Sequence, residues 1–210
     1  MSLVRRTAAV PLARVSIALL AGSLLVGFYL TVALRAQVSP IANVVSDYVF
    51  YGPGDVLYVL AVLLLLAGGV AVLACLPALG VPGSRLRTVL FSLWGWGLLL
   101  CAVFPTNRTS GDSSFSGDIH RIAGGTFLTS LPIAAWHLSR ALRADPRLRS
   151  MALSIRRLAV GCLVLAAVFG LCQLAPPPLP GVQGLLERLA LGAEVALLLT
   201  TATTIKRVTG

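Results

Sequence analysis

The chain has 210 residues, 57% hydrophobic and only 11% charged, with a mean hydropathy of +0.91; a soluble domain carries roughly 25% charged residues, so an ordinary globular core is excluded. The net charge is +10, yet no basic, aromatic-interleaved surface segment is present, so no nucleic-acid partner is expected. The composition suits a lipid bilayer, whose core of about 30 Å takes about 20 apolar residues per helix.

Six such helices are predicted in turn. Arg5 and Arg6 precede an apolar run at residues 15–33. A signal peptide has an apolar region of about 7–15 residues and a small-residue cleavage site. This run is longer and lacks a clean site, so it reads as a retained first helix over 14–34. The polar loop RAQVSPIANVVSDYVFYGPGD leads to helix 2 (56–79), almost pure Leu, Val, Ala and Gly. The basic linker GVPGSRLR leads to helix 3 (88–104), and the Gly/Ser-rich loop PTNRTSGDSSFSGD to helix 4 (119–138). The strongly basic segment SRALRADPRLRSMALSIRR precedes helix 5 (158–174). The next loop, APPPLPGVQG, cannot continue a helix because proline lacks the N–H. Helix 6 (185–205) ends at Lys206 and Arg207. The expected fold class is an all-α integral membrane protein, a six-transmembrane-helix bundle. Residues 1–13 and 206–210 are tails, and 14–205 form the membrane domain.

Charge sets the orientation. Arg5, Arg6, Arg14, Arg85, Arg87, Arg140, Arg143, Arg147, Arg149, Arg156, Arg157, Lys206 and Arg207 fall on one side, 13 of the 17 basic residues. Arg35, Arg108, Arg121 and Arg188 fall on the other. Basic loops stay inside, so both termini are expected in the cytoplasm of a multi-pass plasma-membrane protein. Asp47, Asp55, Asp112, Asp118 and Glu187 are in or beside the outer loops, Glu194 is within helix 6, and only Asp145 is cytoplasmic. Acidic residues hardly influence topology, so this second asymmetry asks for another explanation.

The outer face gathers the polar chemistry. Asp47, His120, Glu187 and Glu194 are the candidate catalytic groups. Ser46, Tyr48, Arg121 and Arg188 are the candidate substrate-binding residues. Glu187 and Glu194 are seven apart and share one helix face, about 10 Å apart along the axis. An ionisable group at the depth of Glu194 is a functional-site hypothesis by default. The neutral ring of His120 suits a general base, and the two arginines suit a head group or an acidic partner.

Plainer roles stand beside these. Asp55 and Asp118 read as N-caps, and Glu187 with Arg188 as a helix-end ion pair. Tyr48, Tyr51 and Tyr58 fit an interfacial aromatic belt. Trp94, Trp96, Trp136 and His137 read as packing or interfacial residues. Gly68-Gly69 and Gly124-Gly125 are expected to let helices approach closely. Cys75, Cys101, Cys162 and Cys172 lie in apolar segments without metal-site spacing. They read as buried small hydrophobes, with a Cys101–Cys172 bridge as the minor alternative. Asn107-Arg108-Thr109 matches a glycosylation acceptor. No metal site is expected; cofactor and oligomeric state are unknown at this level.

Pro40, Ser46-Asp47-Tyr48, Phe104-Pro105-Thr106, His120-Arg121 and Glu187-Arg188 occur in this order on six predicted helices. The set resembles the bacterial membrane family catalogued as domain of unknown function 998, over about residues 14–205. The resemblance implies a six-helix fold and little mechanism. An acidic residue often follows the Phe-Pro-Thr in that family, whereas Asn107 stands here. Three functions remain open. One is an enzyme acting on a lipid or isoprenoid ligand at the outer leaflet, membrane terpene-cyclase-like chemistry being one form. Another is a small transporter or sensor subunit using Glu194. The third is a structural or assembly protein without catalysis.

Overall fold

The computed structural model describes residues 3–108, 113–174 and 181–209. They contain six α-helices: α1 (Leu3–Ala33), α2 (Gly54–Cys75), α3 (Arg85–Val103), α4 (Phe115–Leu142), α5 (Arg149–Leu174) and α6 (Gln183–Thr209). Three short 3-10 helices accompany them, at Val45–Phe50, Leu76–Leu79 and Pro146–Leu148. The protein is all-helical over the described residues. Four stretches are long and apolar enough to cross a membrane: Ala9–Ala33, Gly54–Leu79, Arg85–Val103 and Pro146–Gln173. α4 and α6, at 28 and 27 residues, have the length but not the composition.

Several helices outrun their predicted bounds, chiefly at polar ends. α5 starts at Arg149 and carries Arg156-Arg157 within it. Arginine is a good helix former, so loss of apolarity marked the end of the apolar stretch and not of the helix. The cap readings for Asp55 and Asp118 are corrected. α4 is capped by Ser114, whose Oγ accepts from the Gly117 N–H at 3.0 Å. α2 starts from Pro53 without a side-chain cap. Asp112, Thr109 and the run 175–180 lie outside the described residues.

The helices pack as a ring: α1 on α2, α3 on α4, α4 on α5, α5 on α6, and α6 back on α1. The contact between α2 and α3 is thin, and there Gly69 lies against the Trp94 ring. The α1–α2 pair is antiparallel and registered at heptad intervals. The Cys75 Sγ donates to the Ala9 carbonyl at 3.7 Å, the Ser16 Oγ to Gly68 O at 2.8 Å, and the Ser23 Oγ to Ala61 O at 2.8 Å. Each step of seven up α1 is matched by a step of seven down α2, the period that keeps one seam facing its partner. Gly97 on α3 lies against Ala123 and Phe127 of α4. All four cysteines are buried and free, which rules out the Cys101–Cys172 bridge.

Candidate functional site

The segment after α1 folds back over the end of the ring. Tyr48, in the 3-10 helix Val45–Phe50, is wholly buried with Leu30 and Val38 in a small apolar cluster of its own. Its hydroxyl donates to Thr31 Oγ1 at 3.1 Å and accepts from the Arg188 guanidinium at 2.8 Å. The same guanidinium donates to Asn43 O at 2.7 Å and Gly184 O at 3.0 Å. Glu187 accepts the Val45 N–H at 2.5 Å, and the Leu185 N–H donates to Ile41 O at 3.0 Å. Gly184 allows this approach: a Cβ there would fall 2.0 Å from Asn43 O. The first turns of α6 therefore clasp the loop, and the loop's own buried Tyr48 anchors it to α1.

Below the clasp lies a cavity of about 580 Å³, lined from all six helices and from residues 44–46 and 48 of the loop. That volume is in the range of pockets that bind small molecules. Ser46, Tyr48, His120, Arg121, Glu187 and Arg188 all line it. His120 is set by Phe104, whose carbonyl accepts from Nδ1 at 2.8 Å. A carbonyl only accepts, so Nδ1 carries the proton and Nε2 is the basic nitrogen of the neutral ring. The Cys101 Sγ donates to the His120 carbonyl at 3.6 Å, holding α3 to α4 here. Arg121 lies 3.6 Å from Asp118 on the outer side of α4.

Asp47 and Glu194 are not on the cavity wall. Asp47 accepts from the Asn43 amide at 3.3 Å. Its carboxyl is held above the usual carboxylate range: burial raises it, against lowering by Asn43, the Val44 backbone and Arg188. Glu194 is 1% exposed, deeper in the core; Oε2 accepts from the Trp94 indole N–H at 3.3 Å, and Oε1 has no partner among the described residues. No group of three or more His, Cys, Asp or Glu residues suited to a metal ion occurs among the described residues.

Two readings of small and aromatic residues change. Gly124 and Gly125 do not serve close helix packing, since a Cβ at either would meet nothing within 4 Å. Both line the cavity, and their missing side chains leave it space. Tyr58 does not belong to an interfacial belt; it is buried on α2 and lines the cavity. It was missed as a site residue because a tyrosine in the first turns of an apolar helix carries no signal of which side it faces. Asn107 accepts from the Ser114 Oγ at 2.5 Å and lies against Gly117, so it serves the start of α4.

These features define a class: an all-helical, membrane-type protein with a largely apolar cavity at one end of its helix ring and a small polar group on the wall. A family model described as "Protein of unknown function (DUF998)" matches residues 17–204, and the chain belongs to that family. No match is found among curated proteins or solved structures.

Proposed function

We propose that the protein spans the plasma membrane six times, with both termini cytoplasmic, and takes a lipid- or isoprenoid-type amphiphile into the cavity for an acid–base reaction at its head. Six spans are supported by six helices of at least 19 residues. A 19-residue helix is about 28 Å long. The orientation is supported by the 13 of 17 basic residues at the end of the ring that carries both termini. α4 and α6 are the least apolar helices, and among their polar residues His120, Arg121, Glu187 and Arg188 reach the cavity wall.

The observation that carries the reading is that one cavity, apolar over most of its wall, has His120 and Glu187 on that wall. His120 would be the general base through Nε2, Glu187 the second acid–base group, with Ser46, Tyr48, Arg121 and Arg188 around the head. Asp47 and Glu194 would act on the clasp and the core instead. The test uses the protein in lipid nanodiscs with lipid extract from its host membrane, read by mass spectrometry. His120→Asn retains a donor for Phe104 O and removes the basic nitrogen. Turnover should fall by about 100-fold or more; turnover unchanged by the substitution rejects the acid–base step.

A non-catalytic reading has one observation in its favour. Glu187 and Arg188 both bond to loop backbone, which suits a role in holding the loop for assembly. On that reading Glu187→Gln lowers stability, and no lipid is consumed by the wild-type protein.

A further inference from the structure

Each arginine and carboxyl side chain on the cavity wall has at least one partner within the protein. Arg121 is held by Asp118. The terminal nitrogens of Arg188 bond Asn43 O, Gly184 O and the Tyr48 hydroxyl, while its Nε has no partner among the described residues and is sealed from open space. Glu187 holds the Val45 N–H. An anionic head would sit beside the Glu187 carboxyl, and the nearby Arg121 and Arg188 already have protein partners. Desolvating a phosphate or carboxylate there would be costly.

Two buried neutral hydroxyls remain. Ser46 and Tyr58 are 3% and 8% exposed and line the cavity. Neither hydroxyl has a hydrogen-bond partner among the described residues, and neither oxygen is sealed from open space. Buried hydroxyls normally find a partner, so these two are placed for a guest that both donates and accepts. Most of the remaining wall is apolar. Leu24 and Phe28 of α1 line the cavity and are yet 45% and 69% exposed. Leu24 sits about 14 Å below the end of α1 at Ala33, so the cavity is open on the flank of the bundle, where acyl chains would lie.

We propose that the cavity binds an uncharged, hydroxyl-headed amphiphile, an alcohol or glycerol head on an apolar tail, with Ser46 and Tyr58 bonding the head and the tail leaving at the flank past Leu24 and Phe28 of α1. This rests on the amphiphile-binding reading above and narrows its ligand class.

The probe is a monoacylglycerol with a photoactivatable diazirine in its chain, alongside a lysophosphatidate of the same chain, both with the full-length protein in phosphatidylcholine nanodiscs. The neutral probe should label α1 around residues 24–31 and α4 around 124–129, and the lysophosphatidate should not. Unlabelled monoacylglycerol or an unlabelled prenyl alcohol should compete, and whichever competes at lower concentration identifies the tail. Tyr58→Phe removes a hydroxyl with no protein partner, so the fold is kept while competition weakens roughly three- to ten-fold. Gly124→Leu, whose side chain extends into open space, should abolish labelling of both segments. Equal or stronger labelling by the lysophosphatidate overturns the neutral-head claim and leaves amphiphile binding standing. Absence of cavity labelling by either probe overturns both. Undiminished labelling in Gly124→Leu overturns the location, and undiminished competition in both Tyr58→Phe and Ser46→Ala overturns the roles of the hydroxyls.

Discussion

Glu194 pairs with the Trp94 N–H deep in the ring, 100 residues away in sequence. A neutral amide can accept that N–H as well as a carboxyl can. Glu194→Gln is therefore expected to leave stability to SDS unfolding unchanged or raised. Glu194→Ala should cost about 2–4 kcal/mol, from the void and the orphaned indole donor. If Gln proves as damaging as Ala, a charged carboxylate is required there. Asp47 gives a pH signature. Its folded carboxyl sits above the ordinary 3.8 because burial outweighs its partners. An acid raised in the folded state contributes stability that is full below the unfolded value and lost as pH rises through the folded one. Unfolding followed from acidic to neutral pH should show this loss in the wild type, and Asp47→Asn should flatten it. At this scale the sequence identified six residues that line the cavity. It could not separate them from Asp47, because adjacent positions on a short helical turn point different ways, or from Glu194, which shares a helix face with Glu187 but lies deeper in the core. The bond from Arg188 to Asn43 O spans 145 residues and leaves no local pattern.

The elements are locked by small residues at close approaches. A Cβ at Gly69 would fall 2.4 Å from the Trp94 ring, and one at Gly68 would fall 2.8 Å from the Leu20 side chain. Leucine can shift about its χ angles, whereas the buried indole is held by Glu194. Gly69→Ala should therefore cost about 1–3 kcal/mol, and Gly68→Ala less, by thermal unfolding in detergent. Gly184→Ala should be the most disruptive of the three for the loop, since its obstacle is backbone. Protease cleavage between residues 39 and 51 should rise sharply in that variant and not in Gly68→Ala. The Gly68-Gly69 pair was legible in sequence as a packing site, whereas Gly124-Gly125 was not legible as a cavity wall. A double glycine permits close approach, but only the surrounding ring decides whether a neighbour is there.

For the whole molecule, composition alone indicated a membrane-type helical protein. Hydropathy found the helices, and charge bias suggested their direction. α4 and α6 escape a purely apolar criterion, and the polar residues that lower their apolarity include those of the cavity wall. The proposed topology can be checked with a thiol reagent that does not cross membranes. The four native cysteines are buried and give a low background. A cysteine placed at Gly52 or Ser113 should label from outside in intact cells, and one at Ala144 only after lysis. The opposite pattern would invert the molecule and put the cavity at the cytoplasmic leaflet.

The clasp also has a consequence in time. Val45 waits for Glu187, 142 residues later in the chain. At translation rates of about 5–20 residues per second, that wait lasts roughly 7–30 s. Through that interval the segment over the cavity is fastened to α1 through Tyr48 and Thr31 but not yet to α6, and α1 and α2 can already sit in register through their own serine bonds. Closure of the cavity is thus a late step of biosynthesis, completed when α6 enters beside α1. A chain arrested before that helix would keep its first hairpin and lack a finished cavity.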